Sequence, residues 1–267
     1  MQQFIRRTAD FGGGFNRWTS CSLASNIDHA FAVGSLSNHN TEGWMETELE
    51  VFWDSGSPYV WRVLLALEVK QVPYTSRRIQ FSRDEHKAPE FLAMNPRGKI
   101  PVVRFGDFTL YESTAILAWL DHEWPEPPIF GRNSSERGQI WRAVSEIEAY
   151  LQPEVVRMAR LRMARAIYFD SVELEAVKAA AEATHTELGR IEGALDQMMV
   201  GDQLSAADIM LLPAVQLILR TAGHERSVPL ELGFLPLDER YPKLAAWLER
   251  MEALPGYDRT YPPHWRT

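Results

Sequence analysis

Cysteine is nearly absent from this sequence: Cys21 is the only one among 267 residues. A single cysteine excludes a disulfide framework and a cysteine-rich metal site. Because nothing in the chain depends on oxidation, a reducing compartment is the natural setting, and we expect a cytoplasmic protein. The seven histidines show no HExxH or other close ligand spacing, so we expect no bound metal.

Long apolar runs and an excess of positive charge are also missing. No stretch approaches the roughly 20 apolar residues that span a bilayer. The net charge of −8 disfavours nucleic acid as the main partner. The composition, 45% hydrophobic and 24% charged, is that of a globular protein with one large domain or two smaller ones. We therefore expect neither a membrane nor a nucleic-acid partner.

The first segment differs from the rest of the chain. Residues 1–44 are rich in Gly, Ser and Asn, contain no lysine and lack a lasting periodicity. Their arginines and serines suit a targeting peptide, but Asp10 and Asp28 interrupt the segment and no clear apolar core with a cleavage site appears. Met45 opens "METELEVFW", which leads directly into a strand pattern. We predict that residues 1–46 are a disordered extension or precede the true start.

The remaining chain divides into a mixed half and a helical half. Strand and helix patterns alternate in the mixed half, over residues 48–54 (strand), 58–70 (helix), 73–81 (strand), 99–113 (two short strands around Gly106-Asp107) and 112–124 (helix). The Pro-rich stretch 126–134 predicts a linker. Helical periodicity fills residues 135–267, with a bend expected at Pro153. The order βαβ, ββα and then helices predicts an α+β protein of two domains.

Ser57 stands immediately before Pro58 at the start of the first predicted helix. Pro suits the first helical position, and Ser suits the N-cap, where its oxygen accepts from an unpaired backbone N–H. Capping alone explains this serine. The same helix end also carries partial positive charge and free donors, which would lower the pKa of a thiol placed there. Ser57 is therefore a candidate for stabilising a thiolate, and Ser55 is its rival.

The stretch "GKIPVV" (98–103) places a proline between strand-like apolar residues. Proline cannot donate to a strand ladder, so Pro101 is unusual there. A cis peptide at Ile100-Pro101 would turn the Ile100 backbone outward, where an extended peptide could pair with it. The alternative is an ordinary proline at a strand edge.

The stretch "LYESTAIL" (110–117) places Glu112 and Ser113 where a strand ends and a helix begins. One interpretation is again helix capping, with an acid favoured by the helix dipole. The other is a receptor for an α-amino-acid group. In that case Glu112 takes the ammonium, while the N–H and hydroxyl of Ser113 take the carboxylate.

Together, and in this order, these motifs resemble the cytosolic glutathione S-transferase family of serine type. "SPYVWRVLLALEVKQVPY" resembles the start of the tau and zeta classes, and "EHKAPEFLAMNPRGKIPVV" is similar to the phi and theta glutathione site. "GDFTLYESTAILAWLD" resembles the end of the family's thioredoxin-like domain. "LSAADI" (204–209) is similar to its structural capping box, with Ser205 as N-cap and Asp208 at N3. The resemblance covers residues 47–255 and implies a thioredoxin-like domain at 47–125, followed by a linker at 126–134 and a helical domain at 135–267.

The resemblance also implies a glutathione site in which each residue has a role. Ser57, with Ser55 as rival, would activate the thiol of glutathione. The other expected glutathione-binding residues are His86 and Lys87 near the glycine carboxylate, Lys99 as a weaker candidate for that carboxylate, Ile100 before cis-Pro101 for the cysteinyl backbone, and Glu112 with Ser113 for the γ-glutamyl end. Because position 57 is not a cysteine, we do not expect thiol–disulfide reductase activity.

The implied activity is that of a detoxification transferase, in which bound glutathione attacks a small electrophile as co-substrate without a metal. A glutathione-dependent isomerase, dehalogenase or etherase would share the same first half, and a non-catalytic binding module would share the same fold. Tyr150 and Met158 are candidates for the electrophile pocket, with helix-bundle core as the alternative for both. The resemblance further implies a homodimer.

Overall fold

The computed structural model describes residues 48–163 and 171–266; the predicted extension over residues 1–46 lies outside them. The strands are Leu49–Trp53 (β1), Thr75–Arg78 (β2), Val102–Phe105 (β3) and Phe108–Tyr111 (β4). The helices are Pro58–Val69 (α1), Pro89–Met94 (α2), Ser113–Glu123 (α3), Ser134–Glu146 (α4), Gln152–Met163 (α5), Ser171–Ala194 (α6), Ala206–Ala222 (α7), Leu237–Arg240 (α8), Pro242–Glu252 (α9) and Tyr257–Thr260 (α10). The predicted order of a mixed half and a helical half is confirmed.

The four strands form one sheet in the order β2-β1-β3-β4. β1 and β2 are parallel and are joined through α1, while β3 is antiparallel to both β1 and β4. The turn between β3 and β4 is built on Gly106 at φ +59°, a conformation that glycine adopts without steric cost. β2 is shorter than predicted, because the chain leaves the sheet after Ile79 and forms a short 3-10 turn at Phe81–Arg83.

Helix α1 lies between the mixed half and the helical half and is buried from Val60 to Leu67. It packs against α3 of its own half and against α7 of the helical half. Val63, Leu65 and Leu67 are fully buried in the resulting core. Helix α1 therefore contributes to the core of both halves.

The long helical pattern that follows the linker is interrupted earlier than predicted. The bend was expected at Pro153, whereas α4 gives way to a π-helical segment at Ile147–Leu151 and α5 begins at Gln152. A proline lacks the N–H that an α-helical bond would need, and the wider π turn precedes it here.

None of the described helices is both long and apolar enough to cross a bilayer.

The capping box that was predicted at the start of α7 is present. Both the N–H and the hydroxyl of Ser205 donate to Oδ2 of Asp208, at 2.9 and 2.7 Å. The other oxygen accepts from the Met199 N–H and from Nε1 of Trp247. Burial raises the pKa of the Asp208 carboxyl, and these hydrogen bonds oppose the rise. Asp208 therefore serves to join three chain segments inside the helical half.

Candidate functional site

Ser57 caps α1, as the sequence predicts. Its φ and ψ are −80° and 122°, outside the helical region, and its Oγ accepts from the N–H of Val60 at 3.4 Å. A serine hydroxyl can accept and donate at once, so the cap leaves its hydrogen available to a further acceptor. Ser57 is half-buried and borders a surface cavity.

Two adjoining cavities lie along one edge of the mixed half. The Ser57 cavity, of about 340 Å³, is lined by Asp54, Ser55, Gly56, Ser57, Phe81, Lys99 and Ile100. The Glu112 cavity, of about 220 Å³, is lined by Tyr59, Asn95, Arg97, Lys99, Ile100, Pro101, Glu112 and Ser113. Since Lys99 and Ile100 border both cavities, a single extended ligand can occupy them together.

The segment between the two cavities has the predicted backbone. The Ile100-Pro101 peptide is cis, and Ile100 is half-buried. The buried Asn95 holds this segment, because its Nδ2 donates to the carbonyl of Lys99 at 2.7 Å. The sequence predicts a helix end at Asn95-Pro96, which is confirmed by the end of α2 at Met94, but it does not predict this contact.

Glu112 and Ser113 lie at the far end of this site, where β4 passes into α3. Glu112 has φ +71°, a left-handed conformation that is uncommon outside glycine and is found at functional sites. Its carboxylate is mostly exposed and lies 3.7 Å from Nε of Arg97. Ser113 is the first residue of α3 and is buried. A carboxylate and a helix N-terminus thus stand side by side, which suits an α-amino-acid group.

Arg62 contacts this end of the site from the protein core. The sequence did not predict its contact with Ser113. Its side chain is fully buried, donates through Nη1 to Oγ of Ser113 at 3.5 Å, and donates through Nη2 to Oε1 of Gln152 at 2.6 Å. Burial lowers the pKa of this guanidinium to about 10, against the opposing charges of Glu148 and Tyr59. The only signal in the sequence was an arginine at an otherwise apolar position of α1.

His86 and Lys87 line neither of the two cavities. The ring of His86 stacks on Phe81 with 4.1 Å between ring centroids, and Phe81 borders the Ser57 cavity. Lys87 places its Nζ 2.9 Å from Oδ1 of Asp84. Both residues lie on the loop between β2 and α2, so their contact with a glycine carboxylate stays a prediction.

Ser55 is engaged by a residue from the other end of the chain. Its Oγ lies 3.0 Å from Nδ1 of His264. The ring of His264 also covers Gly56, where an added Cβ atom would lie 2.8 Å from Cε1 of the histidine. Gly56 also has φ +89°. Glycine fits this position because it has no Cβ atom to collide with the ring and because it adopts positive φ readily. Local sequence gave no signal for this contact.

The two candidates for the electrophile pocket lie in different environments. Met158 is fully buried and belongs to the hydrophobic core, so the core interpretation is correct for it. Tyr150 lies in the π-helical segment and is 58% exposed. It borders a separate cavity between α4 and α6 of about 350 Å³, whose other polar lining residues are Arg142, Glu146, Glu187 and Arg190.

Within residues 48–163 and 171–266, no three His, Cys, Asp or Glu side chains are grouped to hold a metal ion.

Comparison with known proteins yields consistent matches. The family model "Glutathione S-transferase, N-terminal domain" matches residues 56–123, and "Glutathione S-transferase, C-terminal domain" matches residues 174–250. The sequence is 28% identical to glutathione S-transferase A of Pleuronectes platessa over 83% of this chain and 94% of that protein. It is 27% identical to a probable maleylacetoacetate isomerase of Vibrio cholerae over 79% and 93%. The structure resembles a glutathione S-transferase of the Antarctic clam Laternula elliptica, with a TM-score of 0.68, 31% identity, and coverage of 82% and 94%.

Proposed function

The chain belongs to the glutathione S-transferase family, and we propose that it uses Ser57 to hold the thiol of glutathione as a thiolate. The thiolate then attacks an electrophilic carbon of a small molecule. The observation that carries this proposal is the position of the Ser57 hydroxyl. It stands at the N-terminus of α1 and borders a cavity that continues to Glu112 and Ser113.

Glutathione fits these two cavities by charge and by shape. Its γ-glutamyl end carries an ammonium and a carboxylate, which complement the Glu112 carboxylate and the N-terminus of α3. Its central peptide is extended and can pair with the backbone of Ile100. This placement brings the cysteinyl sulfur toward Ser57. Lys99 borders both cavities and is a charged partner for the glycine carboxylate.

Stabilisation of the thiolate follows from two properties of the helix end. The α1 dipole places partial positive charge at Ser57, and the serine hydroxyl can donate to sulfur while it accepts from Val60. Each effect favours the charged form of the thiol and lowers its pKa. The rate gain then comes from a larger thiolate fraction and from its fixed position next to the electrophile.

The test is the ultraviolet absorbance of the glutathione thiolate bound to the protein, followed against pH. The wild type should form the thiolate below the pKa of free glutathione, and Ser57→Ala should bind glutathione but form it only at higher pH. Ser145→Ala is the matched control, because it removes an exposed serine hydroxyl on α4, away from both cavities. If Ser55→Ala shifts the titration and Ser57→Ala does not, the roles assigned to the two serines are wrong.

An isomerase is the second candidate, and one comparison favours it. The Vibrio cholerae relative bears the name of a probable maleylacetoacetate isomerase. Such an enzyme would use the same thiolate, but it would release glutathione unchanged at the end of each cycle. A panel of electrophiles separates the two: conjugation consumes glutathione in proportion to product, while isomerisation does not. Product formation without bound glutathione would contradict both.

The proposal also covers the oligomeric state, the cellular location and the domain boundaries of the protein. We propose a cytoplasmic homodimer in which the helical domain at 135–267 of one subunit approaches the thioredoxin-like domain at 47–125 of the other, with residues 126–134 as linker. Family membership supports this arrangement. Sedimentation of the purified protein tests the dimer, since a species of monomer mass at micromolar concentration would contradict it.

A further inference from the structure

We propose that the pair Ser55–His264 accepts the proton that the glutathione thiol loses, while Ser57 stabilises the thiolate. This inference rests on the proposed function and divides the work between two neighbouring serines. It assigns a role in the reaction to His264, which reaches the site from the C-terminal end of the described chain. This role depends on how His264 is held, on what its contact with Ser55 permits, and on where the proton goes.

The first step is that several anchors fix the segment that carries His264. Arg220 on α7 donates through Nη1 to the carbonyl of Trp265 at 2.8 Å and lies 5.2 Å from the centre of the Trp265 ring. Trp265 packs edge-on against the ring of Trp61. Trp61 in turn donates through Nε1 to Oγ1 of Thr260 at 2.9 Å, and both residues are buried. The backbone of His264 is thereby tied to α1 and α7.

The second step concerns the hydrogen bond between Ser55 and His264. A neutral imidazole nitrogen without hydrogen accepts, and a serine hydroxyl has one hydrogen to give. When Nδ1 of His264 accepts from Ser55, the lone pairs of Ser55 are left for another donor. Ser55 borders the Ser57 cavity, so a thiol placed there is such a donor. Ser57 differs from Ser55, since its oxygen already accepts from Val60.

The third step is the path of the proton. The S–H bond of glutathione breaks, and its proton passes to Oγ of Ser55 while the hydroxyl proton of Ser55 passes to Nδ1 of His264. The sulfur becomes a thiolate and the histidine an imidazolium, so total charge is unchanged. The sulfur electron pair then forms the bond to carbon, and the leaving group departs with its bonding pair. The imidazolium returns its proton to that leaving group or to water, and nothing is oxidised or reduced.

Most charged groups on the segments that carry Ser55 and His264 already have a partner. Asp54, which precedes Ser55, binds Nε of Arg78 at 2.9 Å and also accepts from the Ser55 N–H. In the C-terminal segment, Arg259 pairs with Glu68 and Arg266 pairs with Asp258. Nη2 of Arg220 donates to the backbone carbonyl of His264 at 3.4 Å. Lys99 is the charged residue that borders the Ser57 cavity on the side of Ile100.

His264 acts through Ser55, so the test must separate proton transfer from mere positioning. His264→Asn can still hydrogen-bond to Ser55 but has no nitrogen that takes up a proton. His264→Ala removes the ring and leaves room for added imidazole. We expect both variants to lose kcat by roughly tenfold or more, since proton transfer of this kind contributes about a hundredfold or more, with KM for glutathione little changed. Added imidazole should restore part of the kcat of His264→Ala.

The outcomes are distinguishable from failure of the proposed function. If His264→Asn keeps the wild-type kcat, or if His264→Ala loses kcat that imidazole does not restore, the proton-accepting role is overturned. His122→Ala, which removes an exposed histidine on α3, is the matched control and should behave as wild type. Thiolate absorbance of bound glutathione in the wild type is measured alongside, because its absence would instead overturn the role of Ser57.

Discussion

Arg62 and Gln152 are joined by a 2.6 Å hydrogen bond between Nη2 of the arginine and Oε1 of the glutamine, and both residues are buried. The bond links α1 of the mixed half to the first residue of α5 in the helical half. The same guanidinium reaches Ser113 at the proposed glutathione site. The residue proposed to bind the γ-glutamyl end is therefore connected structurally to the packing of the two halves.

Substitution of Arg62 by methionine should weaken both properties. It leaves the buried Gln152 without its partner and removes the support of Ser113, so we expect a loss of about 2–4 kcal/mol in the free energy of unfolding. Glutathione affinity should fall as well. The control is Arg142→Met, whose exposed pair with Glu146 should contribute at most about 1 kcal/mol. Denaturant unfolding and glutathione titration measure both; equal stability of the two variants would rule out this role of Arg62.

Glu112→Ala should weaken glutathione binding without abolishing the fold. A hydrogen bond to a charged group contributes about 1.5–3 kcal/mol, so we expect the Kd for glutathione to rise roughly tenfold or more. Calorimetric titration measures it. Glu112→Gly adopts φ +71° more readily yet also lacks the carboxylate, so it should bind as weakly as the alanine variant. Wild-type affinity in the glycine variant would mean that the carboxylate takes no part.

Lys70→Met should destabilise the connection between the two halves. The Lys70 side chain is fully buried, and its Nζ donates to Oδ1 of Asp121 and to the carbonyls of Trp124 and Pro127 at 2.7–2.8 Å. Its removal leaves the Asp121 carboxylate, which is only 11% exposed, without its cation. We expect this to cost about 3–5 kcal/mol of stability. Thermal unfolding compares it with Lys178→Met, an exposed lysine paired with Glu175. Similar melting temperatures would show that the linker does not depend on Lys70.

His185 should make stability depend on pH. Its Nε2 bonds the carbonyl of Leu232 at 2.7 Å, and its Nδ1 lies 2.6 Å from the hydroxyl of Tyr241. Burial lowers the pKa of His185 below its ordinary value of 6.5. The unfolded chain therefore takes up a proton more readily than the native protein, and stability is lost as pH falls below about 6.5.

The matching measurement is denaturant unfolding of wild type and His185→Gln between pH 8 and pH 5. The wild type should lose more unfolding free energy over this range than the variant, because the variant lacks the titrating ring. Other groups titrate equally in both proteins and cancel in the difference. Parallel pH profiles would contradict the assignment.

Local patterns were sufficient for most of the fold. The strand at 48–54, the helix after Ser57 and the hairpin at Gly106 all follow from alternation, capping and turn residues, which act within a few positions. The interruption of the helix at Ile147 was not predictable, because the position at which α4 gives way to a π turn depends on packing. The early end of β2 likewise reflects a turn whose residues carry no strong turn signal.

In the candidate site, too, residues marked by local sequence patterns differ from residues whose role depends on distant contacts. The sequence alone was sufficient to propose Ser57, Ile100, Glu112 and Ser113, because each occupies the end of a helix or strand and the family motif includes it. Arg62 and His264 could not be found by their contacts. Gln152 lies 90 residues after Arg62, and His264 lies 209 residues after Ser55. No local pattern encodes which distant residue folds back onto which loop.

The contact between Ser55 and His264 has a consequence for biosynthesis. The loop that carries both serines leaves the ribosome 209 residues before its histidine partner. At about 5–20 residues per second, this interval is roughly 10–40 s. A nascent chain can fold its sheet during that time, yet it lacks the ring that covers Gly56. Premature termination anywhere before the last described turn therefore yields a polypeptide in which Ser55 lacks its histidine partner and Gly56 stays uncovered.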